Sequence, residues 1–259
     1  MCSSDLVPEH LKTLPAPTAR ASSAAILVAG VGGRGVVTTA RILARAALAD
    51  GKSAAVLDQT GLAQKGGAVL SHVRIGADPC KPPHPRIGVE GADLVLGLDP
   101  LVTAGARVLE TIAGEGHVLI ASEAAPTAKG GRDASARPDG ARLVQSVADR
   151  IGPERLTALA AERIARATVG RTISANLVLL GYAFQTGLLP LSEQALLDAI
   201  ADDGGDLLAK REAFLWGRRA GVDPTAVNAL TVSAPARAET LAELDRKSTR
   251  LNSSHITIS

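Results

Sequence analysis

The sequence predicts an α/β protein with a three-layer, mostly parallel sheet, a Rossmann-like glycine turn and a helical C-terminal part. Short apolar runs alternate with stretches of helical periodicity, which is typical of parallel strands covered on both faces. A glycine-rich turn, Gly30 to Gly35, joins the first apolar run to the first helix. From Ala141 onward the periodicity is mainly helical.

The composition is that of an ordinary globular protein. The 259 residues suffice for one large or two small domains, and 46% are apolar and 21% charged. The formal charge of +2 is not concentrated in any stretch, so we expect neither a nucleic-acid nor a membrane partner. Cys2 and Cys80 lack the spacing of a zinc or iron–sulfur site. No signal-peptide pattern is present, and we expect a cytoplasmic protein.

The first predicted elements lie on either side of the glycine turn. An apolar run predicts a strand over Ala25–Ala29, and helical spacing then continues from Gly35 until Asp50 and Gly51 stop it. A second buried strand is expected over Ser53–Leu57, with Asp58 at its end.

The middle of the chain predicts further strands and one helix. A glycine-rich loop, Gln59–Gly67, precedes an alternating strand over Val69–Ile75. An apolar run predicts a strand over Ala92–Leu98, and Asp99 with Pro100 then starts a helix that we expect to reach about Ile112. His117–Ala121 predicts the next strand.

The C-terminal part predicts a series of helices. The apolar stretch Thr172–Leu191 contains Asn176 and Gln185, so a buried helix explains it better than a membrane span. Gly187 and Pro190 end this helix, and Ser192 opens the next. Two more helices are expected, one containing Ala213–Gly217 and one starting at Pro224.

Both ends of the chain look foreign to the protein. Met1–Leu6 and Asp245–Ser259 resemble the translation of one sequencing-adapter core in opposite orientations, and we treat them as scars. The predicted organisation is a scar over 1–6, a linker over 7–23, an α/β core over 24–127, a loop over 128–140, a mainly helical continuation over 141–244 and a scar over 245–259.

The glycine turn satisfies the pattern G-x-G-x-x-G between a strand and a helix. Its backbone amides and the positive end of the helix favour an anion such as a phosphate. Asp58 stands about where a ribose-binding acid would be in a dinucleotide fold. On these residues alone, dinucleotide binding and glycines that merely let the helix pack on the sheet remain open alternatives.

The following loop resembles one particular family. Asp58 to Ile75 reads D-Q-T-G-L-A-Q-K-G-G-A-V-L-S-H-V-R-I, and it closely resembles the gamma domain of 2-oxoacid:ferredoxin oxidoreductases, specifically the indolepyruvate branch. The resemblance continues through Ala92–Asp99, Asn176–Gly187 and Ala213–Arg219, and the region around Trp216 resembles the large fused bacterial form. Arg34 departs from the family, which usually has a small or amide residue there.

The resemblance implies a function for a larger parent enzyme. Such enzymes decarboxylate aryl-pyruvates on thiamine diphosphate with magnesium, pass electrons through 4Fe–4S clusters to ferredoxin, and form acyl-CoA and CO2 from coenzyme A. This segment has one cysteine outside the scars, too few for a cluster. We therefore expect an inactive isolated fragment, with no cofactor assigned to it and no catalytic residue. Its expected partners are the thiamine-binding and iron–sulfur domains of the same enzyme, and ferredoxin through that enzyme.

The expected binding residues surround the glycine turn. We predict that a phosphate is met by the glycine amides, with Arg34 adding positive charge and Lys65 as a mobile cation; the glycines are Gly30, Gly32, Gly33 and Gly35. His72 is expected in a core or interface, and His84 and His117 are interpreted as structural. Two other functions stay open: an NAD-dependent dehydrogenase built on the glycine turn and Asp58, and a purely structural assembly module whose interface is the apolar helical half from Thr172.

Overall fold

Strands and helices alternate along the residues that this computed structural model describes, which are 11, 13–17, 21–61, 67–123 and 139–233. The strands are β1 (Ala24–Val31), β2 (Ser53–Thr60), β3 (Ala68–Gly76), β4 (Ala92–Gly97), β5 (Ile112–Ala121) and β6 (Leu156–Leu159). The helices are α1 (Val36–Ala49), α2 (Pro100–Thr103), α3 (Ala106–Leu109), α4 (Gly140–Ile151), α5 (Ala161–Val169), α6 (Ala175–Gln185), α7 (Glu193–Asp202), α8 (Leu207–Val222) and α9 (Pro224–Ser233).

The strands form one sheet in the order β2-β3-β1-β4-β5-β6. β3 is antiparallel to both of its neighbours, and the other pairings are parallel, so every strand except β3 runs in the same direction. The predicted α/β class with a mostly parallel sheet is therefore confirmed. The exception arises because the chain leaves β2 through a hairpin, and β3 is inserted between β2 and β1.

The first face of the sheet is covered by α1 and by the helical C-terminal part. One hydrophobic cluster joins β1, α1 and the helices α5 to α9, so the two predicted parts share a core. Most of α6 is buried, which confirms the buried helix expected near Thr172. Its packing against α8 places this helix inside the protein, so α6 itself offers little free surface for the assembly interface predicted on the helical half from Thr172.

The second face is covered by α2, α3 and α4. Their apolar side chains form a separate cluster with β1, β4 and β5, for example around Leu27, Val95 and Val118. From β2 and β3 this cluster takes in Leu70, which is only partly buried. The second face is therefore less well covered at the β2 edge than at its centre.

Four sequence predictions need correction. The helix expected from Pro100 to Ile112 is two short helices separated at Gly105, a poor helix former, and β5 begins at Ile112 rather than His117. The mainly helical pattern after Ala141 concealed β6, a strand of 4 residues. β2 is longer than expected and, after Ser53, consists of half-buried and exposed residues, because it lies at the edge of the sheet.

Part of the predicted linker packs onto the helical part. Leu11 is 1% exposed, and the carbonyl of Pro15 accepts hydrogen bonds from Gln185 Nε2 at 2.9 Å and Arg218 Nη2 at 3.1 Å. The predicted scars lie outside the described residues, as does most of the predicted loop 128–140. Among the described helices, none combines the length and apolar character needed to cross a membrane.

Candidate functional site

The glycine turn lies where neighbouring strands send their helices to opposite faces of the sheet. β1 and β4 are adjacent and parallel. The chain leaves β1 for α1 on the first face, whereas it leaves β4 for α2 on the second. Such a switch point opens a crevice at the carboxyl ends of the strands, which is where open α/β sheets bind ligands. The glycine turn therefore lies at a position suited to ligand binding.

Two glycines give the turn its backbone conformation. Gly33 and Gly35 have φ angles of 88° and 82°, in the left-handed region that side chains disfavour. Gly35 is the N-cap of α1, and it provides no side chain to cap the first amides of that helix. Its carbonyl accepts hydrogen bonds from the backbone and the hydroxyl of Thr39, each at 2.8 Å. The exposed helix start is thus available to an anion.

The other two glycines have structural roles. Gly30 lies within β1, and a Cβ there would approach Val36 Cγ2 to 2.9 Å and Leu98 Cβ to 3.1 Å, so this glycine lets α1 pack closely on the sheet. The amide of Gly32 donates a hydrogen bond to the carbonyl of Gly67 at 3.1 Å. The amide of Gly32 is therefore already engaged within the protein, which narrows the predicted set of phosphate donors to Gly33, Gly35 and the start of α1.

Arg34 points toward acidic groups. Its guanidinium forms an ion pair with Glu162 at the start of α5, and both side chains are largely buried. Burial lowers the pKa of Arg34, while the negative charges of Asp99 and Glu123 raise it. The carboxylate of Glu162 therefore neutralises much of the positive charge that we expected Arg34 to offer to a bound phosphate. The same ion pair joins the glycine turn to the helical part.

A buried asparagine that sequence reasoning did not select lies against the turn. Asn176, 7% exposed, donates from Nδ2 to Thr39 Oγ1 at 3.2 Å. A Cβ on Gly35 would come within 2.6 Å of the same Nδ2 atom, so Gly35 is needed for this contact. The sequence feature that could have indicated this contact is a polar residue, Asn176, at the start of a largely apolar helix.

A cleft of about 460 Å³ lies between the turn and the helical part. Its walls are mainly apolar, with Val36, Val37 and Leu177 among them, and Asp203 and Lys210 also line it. Lys210 Nζ lies 2.6 Å from Asp203, which also pairs with Arg41 of α1. Burial by itself would raise the pKa of Asp203, but hydrogen bonds from Lys210 and Arg41 outweigh it and lower that pKa.

The remaining predicted residues lie away from this cleft or outside the described part of the chain. Lys65 belongs to the undescribed residues 62–66. Asp58 accepts a hydrogen bond from Ser71, and β3 separates its strand from β1, so the position expected for a ribose-binding acid is not reproduced. His117 contacts Thr157 Oγ1 at 3.0 Å, and His84 Nδ1 accepts from the amide of Arg86.

His72 is buried, as predicted for a core or interface residue. It is 4% exposed, and its Nδ1 accepts a hydrogen bond from the amide of Ile87 at 3.2 Å. Burial and then the positive charge of Arg86 lower the pKa of His72. Within the described ranges, no group of three or more His, Cys, Asp or Glu side chains is arranged to hold a metal ion.

Comparison with known proteins identifies relatives over most of the chain. Residues 25–212 match the family described as pyruvate ferredoxin/flavodoxin oxidoreductase. The indolepyruvate oxidoreductase subunit IorB of Methanothermobacter thermautotrophicus is 31% identical over 179 residues, which are 69% of this chain and 86% of that protein. The common subunit gamma of the pyruvate/ketoisovalerate oxidoreductases of Pyrococcus abyssi is 28% identical over 191 residues, 71% of this chain and 92% of that protein.

Solved structures share the fold. The gamma subunit of a keto/oxoacid ferredoxin oxidoreductase from Geobacter sulfurreducens superposes with a TM-score of 0.55 at 23% identity, covering 77% of this chain and 98% of that one. A 2-oxoglutarate:ferredoxin oxidoreductase from Magnetococcus marinus, solved with 2-oxoglutarate, coenzyme A and succinyl-CoA, gives 0.54 at 19% identity, covering 83% of this chain and 32% of that longer chain.

Proposed function

The chain belongs to the pyruvate ferredoxin/flavodoxin oxidoreductase family, and from this premise we propose that it is the gamma-type part of an indolepyruvate:ferredoxin oxidoreductase. The parent enzyme would convert an aryl 2-oxoacid and coenzyme A into acyl-CoA and CO2, with ferredoxin as the electron acceptor. Thiamine diphosphate, magnesium and 4Fe–4S clusters would be carried by its other domains, which are the proposed partners of this chain in the cytoplasm. The chain alone would be inactive.

One observation carries the choice of indolepyruvate. The stretch from Thr60 to Arg74 has the T-G-L-A-Q-K-G-G-A-V-x-S-H-V-R pattern of that branch. In agreement, a relative named for indolepyruvate is 31% identical to the chain, against 28% for one named for pyruvate and ketoisovalerate. The small difference in identity would not decide the substrate without the pattern.

Reconstitution tests this proposal. The chain is combined with thiamine-binding and iron–sulfur domains of an indolepyruvate oxidoreductase, and 2-oxoacid-dependent ferredoxin reduction is measured with coenzyme A. We expect activity only when the chain is present, with kcat/KM for indolepyruvate at least about tenfold above that for pyruvate. Equal or greater kcat/KM for pyruvate would reject the indolepyruvate assignment. NADH binding with hydride transfer by the chain alone would reject the whole proposal.

We further propose that the glycine turn meets a phosphate of coenzyme A. The free start of α1, the left-handed Gly33 and Gly35, and the cleft beside them support this site. Gly30 and Gly32 would support the turn rather than bind, and Arg34 would contribute only to the extent that Glu162 leaves its charge uncompensated. Lys65 would supply a mobile cation from the loop that follows β2.

Calorimetry tests the phosphate site. Coenzyme A is titrated into the chain, into Lys65→Ala, and into Lys81→Ala as a matched control, since Lys81 is exposed and pairs with Asp78 three residues away. We expect Lys65→Ala to weaken binding about three- to tenfold and Lys81→Ala to leave it unchanged. Absence of heat from both the unaltered chain and Lys65→Ala would refute the site.

A further inference from the structure

A second cleft, of about 380 Å³, opens on the other face of the sheet and shares no residue with the glycine turn. We call it the His72 cleft, because His72 of β3 forms part of its floor; its other lining residues include Gln59, Leu70, Arg86, Ile87, Arg107 and Glu110. It lies where α2 and α3 leave the second face of the sheet less covered. Neither the family nor the proposed function assigns it a ligand.

The imidazole of His72 is held with one donor unused. Its Nδ1 accepts the hydrogen bond from the amide of Ile87, so in the neutral ring the proton is on Nε2. The Nε2 atom is buried, and no described residue accepts a hydrogen bond from it. An unsatisfied buried donor destabilises the protein, and a ligand that supplies an acceptor would remove this penalty.

The charges around the cleft favour an anion. Arg86 and Arg107 are exposed, and within the described part of the chain neither has a carboxylate oxygen within 4.0 Å. Two guanidinium groups and the carboxylate of Glu110 give a net charge of +1 when His72 is neutral. Because burial and the charge of Arg86 lower the pKa of His72, the neutral form predominates at pH 7.

The loop over the cleft is held in a fixed shape. Glu90 has a φ of 53°, in the left-handed region, and its amide donates to the carbonyl of Glu110 at 2.8 Å. Together with the bond from Ile87 to His72, this contact fixes both ends of the segment that borders the cleft. A strained backbone held in this way keeps the border of the cleft in one conformation.

An apolar cleft of about 470 Å³ adjoins the first and shares Gln59, Leu70 and Arg107 with it. Its walls are largely apolar, with Leu101 and Val108 among them. A ligand with a charged group at His72 could therefore place an apolar chain or ring in this second space, where burial is favourable.

We propose that the His72 cleft binds a free monocarboxylate whose apolar part lies in the adjoining cleft. The guanidinium groups of Arg86 and Arg107 bind the carboxylate from the rim, and on binding the side chains that cover His72 Nε2 move aside so that its N–H donates to one carboxylate oxygen. Inorganic phosphate fits less well, because it has no apolar part to place in the adjoining cleft. The site does not depend on the proposed function.

Nuclear magnetic resonance and calorimetry on the whole chain test the proposal. Phenylacetate, acetate and inorganic phosphate are titrated at constant ionic strength while the ¹⁵N signals of the His72 ring are followed, assigned with His72→Gln. We expect phenylacetate to shift the Nε2 signal and to bind at least about tenfold more tightly than acetate. Arg86→Gln and Arg107→Gln should each weaken phenylacetate binding at least about tenfold.

The controls separate this site from general charge attraction. Arg45→Gln removes an exposed arginine from α1, on the other face of the sheet, and should leave the affinity unchanged. Because Arg86 and Arg107 are exposed, their variants should keep the unaltered Tm and so report on binding alone. An unmoved His72 signal at millimolar phenylacetate, unchanged affinity in Arg86→Gln, or tighter binding of phosphate than of phenylacetate would each overturn the proposal.

Discussion

Glycines are used in two different ways in the turn before α1 and in the contact between α6 and α8. In the turn, Gly33 needs its backbone conformation, since a Cβ there would meet nothing within 4 Å. In the helix contact, a Cβ on Gly181 would lie 1.9 Å from the carbonyl oxygen of Phe214, and one on Gly217 would lie 2.0 Å from that of Val178. In the turn, glycine is needed for its backbone conformation, whereas in the helix contact it is needed because there is no room for a side chain.

The difference shows why a glycine motif is a poor guide to where glycine matters most for stability. The turn has the recognisable spacing of a glycine motif, yet a side chain at Gly33 would cause only modest backbone strain. Gly181 and Gly217 lie inside helices, where glycine lowers helix propensity by about 1 kcal/mol. Glycine is nevertheless required at both positions, because the two helix backbones approach so closely that no side chain fits between them.

The largest expected effect is that of Gly181→Ala. The clash is with backbone atoms of Phe214, which cannot turn aside, so α6 and α8 must separate and leave voids in the main core. We expect the free energy of unfolding to fall by about 3 kcal/mol or more, measured by urea denaturation. Gly217→Ala should behave alike.

Gly114→Ala is the matched control for the helix contact. Gly114 lies in β5, where a Cβ would meet nothing within 4 Å and where φ is ordinary. The change in unfolding free energy should stay within about 0.5 kcal/mol. If Gly181→Ala were as mild as this control, the close packing of α6 on α8 would be wrong.

Gly35→Ala tests the position where both uses of glycine coincide. The left-handed φ of Gly35 costs about 1–2 kcal/mol with a side chain, and the new Cβ would displace Asn176 from Thr39. We expect a total loss of about 2–3 kcal/mol by urea denaturation. In an Asn176→Ala background the same substitution should cost about 1 kcal/mol less, and strictly additive effects would contradict the contact.

Substitution of Asp203 tests the ion pairs that join α1 to α8, because Asp203 pairs with Arg41 of α1 and with Lys210 of α8. The pKa of Asp203 is lowered below its ordinary value of 3.8, so its carboxylate stabilises the fold above that value and loses this contribution as the pH falls through the lower folded pKa. Asp203→Asn should therefore lose about 1–2 kcal/mol at pH 6 and less at about pH 3, which lies below the ordinary pKa of the carboxyl group.

The measurement is urea denaturation of both proteins at the two pH values. Asp198→Asn is the control, since Asp198 is exposed on α7 and accepts a local hydrogen bond from Gln194. Its unfolding free energy should differ little from that of the unaltered chain at either pH. A loss in Asp203→Asn that is as large at pH 3 as at pH 6 would show that the carboxylate charge is not responsible.

The elements that the sequence predicted well are those with a local signal. β1, α1 and the turn between them were predictable because an apolar run, a glycine cluster and a helical period follow one another within Ala24–Ala49. β6 was missed because 4 residues carry no recognisable period. The break at Gly105 was missed because the apolar spacing continues across it into the next helix.

The candidate site was only partly predictable, because its contacts join distant parts of the chain. Asn176 and Thr39 are separated by 137 positions, and Arg41 and Asp203 by 162, so no local pattern reports either pair. The engagement of the Gly32 amide by Gly67 likewise depends on how the loop after β2 returns to the sheet. Sequence reasoning found the turn, whereas its surroundings required the fold.

The smallest expected effect is that of Gly33→Ala, which isolates conformation from packing. Because the Cβ meets no atom within 4 Å, only the left-handed φ of 88° is disfavoured, and the loss should be about 1 kcal/mol by urea denaturation. Gly33→Asn should lose less, since asparagine tolerates this region better than alanine does. A loss equal to that of Gly181→Ala would show that Gly33 is packed, and the distinction between the two glycine regions would then fail.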